Sequence, residues 1–213
     1  MRNIRLIIFD LDGTLIDAYR AIEKSFNFVM RALGLKLRSP GIIRRSVGWG
    51  DVFLLKPFVP KKDLACALKL YRNHHKQSLV RNSRLYPKVR LLLRRIKAKR
   101  LKLAVASNRP TEFSLILLKH LGILRYFDYV LCGDKLKKGK PHPEILNRII
   151  RRFKLKKDQV LYVGDMIIDA QAGKRAGVRT IIVTGGSSSR EDIKKEKPAK
   201  IIGNITQLVG FIS

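Results

Sequence analysis

With 213 residues, 46% of them hydrophobic, the chain is long enough for one full core and a smaller second unit, which excludes a disordered polymer. No apolar stretch approaches the ~20 residues needed to cross a bilayer, and Cys66 and Cys132 lack CxxC spacing or a nearby histidine pair, so a membrane partner, a disulfide framework and a zinc site are not expected. The net charge of +30 points toward polyanions, but its density is even, with 15 Lys+Arg against 4 Asp+Glu over residues 17–85 and 31 against 12 over the other 144. Such a chain-wide bias reads as solvated helix faces that draw anionic substrates by their field, with nucleic acid a disfavoured partner.

The first predicted element is a buried strand at Leu6-Ile7-Ile8, reached within a few residues of the amino terminus and without a signal-peptide pattern, which implies a cytoplasmic protein. A helix over 18–33 follows, with Ile22, Phe26, Val29 and Leu33 at helical spacing and Gly34 as its stop. Ser39-Pro40 reads as an N-cap and first helical residue, Gly48-Trp49-Gly50 as a break, and 61–80 as an amphipathic helix with Leu64, Leu68, Tyr71 and His75 on one side. No strand is expected between the first one and Leu85, so 17–85 reads as an all-helical insertion returning through Leu85-Tyr86-Pro87. Beyond it helices (88–99, 111–121, 143–153, 168–176) alternate with strands (101–106, 129–132, 160–163, 179–183, around Ile201), ending in a short helix over 206–212. Gly185-Gly186-Ser187-Ser188-Ser189 is a low-complexity patch. The alternation implies parallel strands with right-handed crossovers. The expected fold is α/β: a three-layer, Rossmann-like parallel sheet core of residues 1–16 and 86–213, with a helical cap domain inserted at 17–85.

Polar clusters follow three of these strands: Asp10-Leu11-Asp12-Gly13-Thr14, Ser107-Asn108, and Gly164-Asp165 with Asp169 four residues on. Ligands of open α/β sheets bind beyond the carboxyl ends of the strands, so these clusters are expected to meet there. Asp10 and Asp12 suit a nucleophile and a proton-handling partner in phosphoryl transfer, although the same residues could form a helix-capping turn. Ser107 and Asn108 are placed to donate to phosphate oxygens, or equally to cap a helix. Lys140 sits in a loop stiffened by Pro141 and Pro143. Taken alone it is one more lysine of a basic chain. Asp165 and Asp169 share a helix face, where their repulsion is relieved by a cation with oxygen ligands such as magnesium. His142 and the pair His74-His75 read as packing or solvated residues.

Together the motifs Asp-x-Asp-Gly-Thr at Asp10, Ser107, Lys140 and Gly-Asp-x-x-x-Asp at Gly164, in this order, resemble the haloacid dehalogenase-like (HAD) hydrolase superfamily, and the helical insertion after the first motif resembles its subfamily I cap. Tyr71-Arg72-Asn73-His74, Leu85-Tyr86-Pro87, Ser107-Asn108-Arg109-Pro110 and Lys140-Pro141-His142-Pro143 are most similar to phosphoglycolate phosphatase relatives. The resemblance implies Asp10 as nucleophile, Asp12 as general acid/base, Ser107 on the transferring phosphoryl group and Lys140 offsetting charge. It also implies Mg2+ held by Asp10, the Asp12 carbonyl and Asp165, with Asp169 supporting. Presence of Asp12 speaks for phosphate esters over halides, because an alkoxide leaving group needs a proton.

The implied activity is a phosphatase for a small phosphorylated metabolite, from a monomer or homodimer. Arg44, Arg45, Trp49 and Lys56 around the glycine break are the expected readers of the substrate's anionic end. Asp17-Ala18 and Tyr86-Pro87-Lys88 depart from the phosphoglycolate phosphatase pattern at Asp-Ser and Tyr-Pro-Gly. A β-phosphoglucomutase-like phosphosugar mutase, which shares the four motifs, and a nucleic-acid end phosphatase or nucleic-acid-binding protein are the alternatives.

Overall fold

The computed structural model describes residues 3–211. In chain order it contains β1 (Leu6–Phe9), β2 (Ile16–Asp17), α1 (Tyr19–Ala32), α2 (Pro40–Arg45), α3 (Asp51–Leu55), α4 (Leu64–Asn82), β3 (Arg84–Leu85), α5 (Val89–Ala98) and β4 (Lys102–Ser107). It continues with α6 (Thr111–His120), β5 (Tyr129–Cys132), α7 (Glu144–Phe153), β6 (Val160–Gly164), α8 (Ile167–Ala176), β7 (Arg179–Val183), α9 (Arg190–Lys195) and β8 (Lys200–Ile202).

Six strands form a parallel sheet in the order β5-β4-β1-β6-β7-β8. The strands are continuous apolar runs because both faces are covered by helices. On one face Ile7, Phe9, Leu103 and Val105 meet Leu92, Leu93 and Ile96 of α5 and Phe113 and Leu117 of α6. On the other Leu6, Ile8, Ala104 and Tyr162 meet Ile145, Leu146 and Ile149 of α7. The chain leaves β1 toward β4 and β5, then returns to build β6, β7 and β8 on the other side. β1 therefore lies at the topological switch point, where ligands of such sheets bind. Phe9 pairs with both Val105 and Val163, which brings the ends of the three central strands level.

The insertion has an apolar core of its own, built on Ile22, Phe26, Val29 and Met30 of α1 with Leu54 and Leu55 of α3 and Tyr71 of α4. Its two crossing segments are not bare coil: Ile16 and Asp17 pair antiparallel with Leu85 and Arg84. This two-residue ladder corrects the expectation of no strand in this stretch, since it is too short to show an alternating pattern. Two further differences are local. The helix α9 starts at Ser189, whose hydroxyl accepts from the Asp192 N–H at 3.1 Å, so part of the serine patch is an N-cap. The final segment is a 3-10 helix over Ile205–Phe211, and Ile212 of the expected helix lies outside the described residues. No described helix is long and apolar enough to cross a membrane.

Candidate active site

Asp10 leaves β1 with its N–H still bonded to the Val163 carbonyl at 2.9 Å, so its position is fixed by the sheet. Gly13, at φ +84°, then turns the chain back, and a Cβ there would lie 2.1 Å from Asp165 Oδ2. Thr14 donates to Asp165 Oδ1 at 2.8 Å. The first and last polar clusters are thus joined across 151 positions of sequence.

Lys140 is 3% exposed. It enters from the loop before α7 behind a cis Lys140-Pro141 bond. Its Nζ donates to Asp10 Oδ1 at 2.6 Å, Asp169 Oδ1 at 2.7 Å and the Ala106 carbonyl at 3.1 Å, and lies 3.2 Å from the Tyr162 hydroxyl. The Tyr162 hydroxyl itself donates to Asp169 Oδ1 at 2.6 Å, and the N–H groups of Asp165 and Met166 hold Asp169 Oδ2. Burial alone would lower the lysine's pKa, but Asp10 and Asp169 hold it well above the usual value. Burial pushes Asp10 up to about 7 even though Lys140 pulls it down, and burial with the charges of Asp10 and Asp169 pushes Asp165 well above the carboxylate range.

Carboxylate oxygens of Asp10, Asp165 and Asp169 lie within 4.8 Å of one another. Three carboxylates face the single ammonium of Lys140, and Asp165 Oδ2 is buried without any hydrogen-bond partner. That oxygen is cradled by backbone, since a Cβ on Gly186 would approach it to 2.0 Å, as one on Gly13 would. An orphaned hard oxygen in an acidic cluster fits a divalent cation with oxygen ligands.

Asp12 is held apart from this cluster. Arg109 Nε donates to its Oδ2 at 2.9 Å and Nη2 to its Oδ1 at 2.7 Å, a two-pronged pair. Arg109 Nη1 lies 3.0 Å from His75 Nε2. The Ser25 hydroxyl donates to the Ala21 carbonyl at 2.9 Å and so accepts from His75 Nδ1, also at 2.9 Å. That pattern leaves Nε2 unprotonated to accept from Arg109, and burial followed by the Arg109 charge keeps the imidazole well below the usual histidine range. The histidine pair expected to be packing or solvated residues thus includes one member that reaches the site.

Ser107 Oγ accepts from the Arg109 N–H at 3.2 Å, which leaves its own proton free to donate. The Asn108 side chain is fully occupied. Its amide donates to the carbonyls of Gly48 and Lys140 at 2.9 and 3.0 Å, and its oxygen accepts from the Lys140 N–H at 2.8 Å. As arranged, Asn108 ties the insertion to the lysine loop and has no amide hydrogen left for a phosphate oxygen.

Asp10, Asp12, Ser107, Asn108, Lys140 and Asp169 line one cavity of about 60 Å³, roofed by residues of α1, α3 and α4. Asp165 does not line it but joins the cluster through its carboxylate, within 4.8 Å of those of Asp10 and Asp169. Arg44, Arg45, Trp49 and Lys56 do not line it. Arg44 lines a different cavity with Gly13, Thr14 and Gly185, donating to the Gly185 carbonyl with its guanidinium 4.3 Å from the Tyr19 ring centre, while Arg45, Trp49 and Lys56 are exposed. Arg109, His75, Tyr162 and Gly186 were not picked out by motif spacing alone. The first lay within the Ser107-Asn108-Arg109-Pro110 match, while the last three carried no sequence signal beyond an aromatic in a strand, a histidine on a helix face and a glycine in a loop.

The family model for haloacid dehalogenase-like hydrolases matches residues 7–183. A phosphoglycolate phosphatase of Aquifex aeolicus is 31% identical over 203 residues, covering 93% of this chain and 95% of the relative. One of Rhodobacter capsulatus is 36% identical over 84% of each chain. A crystal structure described as a predicted phosphoglycolate phosphatase from Haemophilus somnus superposes with a TM-score of 0.94 at 28% identity, over the whole of both chains.

Proposed function

The chain belongs to the haloacid dehalogenase-like hydrolases and is a phosphatase of that family, and from this premise we propose a magnesium-dependent phosphomonoesterase for a small phosphorylated metabolite of the phosphoglycolate kind, working through an aspartyl-phosphate on Asp10. The observation that carries the proposal is the buried cluster of Asp10, Asp165 and Asp169 around Lys140, with one carboxylate oxygen left over for a cation. The phosphoglycolate phosphatases among its relatives supply the substrate class, and the small cavity agrees with a short leaving group.

In this reading 17–85 is a cap over the core, and the chemistry runs on residues placed by strand ends. Lys140 holds Asp10 Oδ1, which leaves Oδ2 to attack phosphorus. The Ser107 hydroxyl donates to a phosphoryl oxygen. Asp12 gives a proton to the departing oxygen and later takes one from the water that attacks the aspartyl-phosphate, returning phosphate and free Asp10. Asp10, the Asp12 carbonyl and Asp165, with Asp169 supporting, would hold Mg2+, which supplies positive charge for the phosphoryl oxygens. Everything else is positioning in a water-poor pocket.

The test is phosphate release from a panel of phosphomonoesters, with magnesium or with chelator, for the native protein and Asp10→Asn. Release that needs magnesium, favours short esters and falls by about 10⁴-fold or more in Asp10→Asn is the expected result. Release that persists in chelator, or a clear preference for nucleic-acid ends or sugar bisphosphates, would contradict it.

A further inference from the structure

Phosphoglycolate-like substrates carry a second anion close to the phosphate, and the cavity that would receive it has largely apolar walls, including Ile22, Val47, Leu54, Phe113, Met166 and Ile168. An unpaired carboxylate in such surroundings is strongly disfavoured. Among the described residues, the cations that line the cavity are Lys140 and Arg109. Lys140 is committed to Asp10 and Asp169. His75 is neutral, as its hydrogen bonds assign, and the one further carboxylate on the wall, Asp51, is paired with Arg72 at 2.7 Å. Arg109 has three of its five N–H donors engaged, two on Asp12 and one on His75.

Each Asp12 oxygen accepts one N–H from Arg109 and keeps a further lone pair, so the guanidinium holds the carboxylate in place while two of its own N–H donors, one on Nη1 and one on Nη2, stay unengaged. A substrate carboxylate has the right charge and the planar geometry that an arginine fork matches.

We propose that Arg109 is the clamp for a carboxylate on the substrate, taking it with its unengaged N–H donors while it keeps Asp12 in place. The inference rests on the phosphatase reading above and narrows its substrate to short phosphomonoesters with a carboxylate next to the ester carbon. His75, held by Ser25 in the cap, is a positioning residue that fixes the guanidinium plane from the other side. Because His75 belongs to α4 and Arg109 follows β4, the clamp is assembled only when cap and core are together. Specificity in this account comes from the core loop, and not from Arg44, Arg45, Trp49 or Lys56.

The experiment compares 2-phosphoglycolate with ethyl phosphate, which replaces the carboxylate by a methyl group, for native protein, Arg109→Lys and Arg109→Met. Native protein is expected to prefer phosphoglycolate in kcat/KM by on the order of 100-fold, the size of a charge-assisted bond. In Arg109→Met turnover of both esters falls, and the preference collapses mainly through the KM for phosphoglycolate, with Arg109→Lys in between. The native comparison needs no variant to fold. Equal native use of the two esters, or an Arg109→Met variant that is weakened with its preference intact, overturns the clamp and leaves the phosphatase standing. Turnover of sugar phosphates with neither ester accepted would overturn the substrate class proposed above, and the clamp with it.

Discussion

The chain places its charges in two very different ways. At the carboxyl ends of β1, β4 and β6, a few ionisable groups are almost fully buried, and most have their partners named by short contacts, as with Lys140 between Asp10 and Asp169 and Arg109 on Asp12. The insertion, 17–85, carries 15 Lys+Arg against 4 Asp+Glu around helices whose apolar faces pack on each other, and residues such as Arg45 and Lys56 stand exposed. A +30 chain can thus hide a site that is locally acidic. Number of charges reports on long-range attraction of anions, whereas burial and over-determined partners report on chemistry.

The contrast is broken or sharpened by substitutions on each side of it. Lys140→Met leaves three buried carboxylates without their one fixed cation. We expect a loss of about 3–5 kcal/mol in chemical denaturation without metal, partly restored by magnesium; a loss below 1 kcal/mol would remove the distinction between the two kinds of charge. Gly186→Ala puts a methyl group where Asp165 Oδ2 stands, 2.0 Å away before relaxation. Magnesium affinity measured by calorimetry is expected to weaken ~10–100-fold, and an unchanged affinity would mean that Asp165 does not face the cation.

A subtler effect is in pH. Burial raises Asp10 to about 7 from an ordinary 3.8, so its contribution favours the folded, metal-free protein below about pH 4 and is lost as pH rises through about 7. Asp10→Asn lacks this titration. In chelator its stability relative to the native protein should therefore grow between pH 4 and 7 and level off above, and magnesium should reduce the difference. A constant difference across that range would show that Asp10 is not desolvated. At the far end of the scale, Arg45→Gln and Lys56→Gln should each change stability by less than about 0.5 kcal/mol and leave kcat/KM for the preferred ester unchanged within a factor of about two; a larger loss would return specificity to the cap surface.

Asp10, Asp12, Ser107, Asp165 and Asp169 could be picked out from the sequence because a parallel sheet converts position after an apolar run into position in space, whereas Lys140 stood out only through the family resemblance of its loop. The register Phe9 with Val105 and Val163 is what makes that conversion accurate. Arg109 and His75 could not be paired with Asp12 in this way, since the Arg109–Asp12 and Arg109–His75 contacts span 97 and 34 positions and depend on side-chain direction where the insertion meets the sheet. Gly186 looked like part of a low-complexity patch because nothing in a glycine announces the carboxylate it makes room for. Conversely Arg44, Arg45, Trp49 and Lys56 were picked out by lying near a glycine break in a basic segment, a criterion that many surface residues of this chain would meet. The short ladder β2-β3 and the six-residue helix α9 left too few residues for a period to show.

The central claim is that the phosphoryl group passes through Asp10. It is tested most directly by quenching the magnesium-loaded enzyme in acid during steady turnover of its preferred ester and mapping phosphorylation by peptide mass spectrometry. The account predicts a phosphoryl group on the peptide that contains Asp10, at the Asp10 side chain, absent from Asp10→Asn and from chelator-treated protein. Sustained turnover by Asp10→Asn, or a phosphoryl group trapped on another residue, would contradict it.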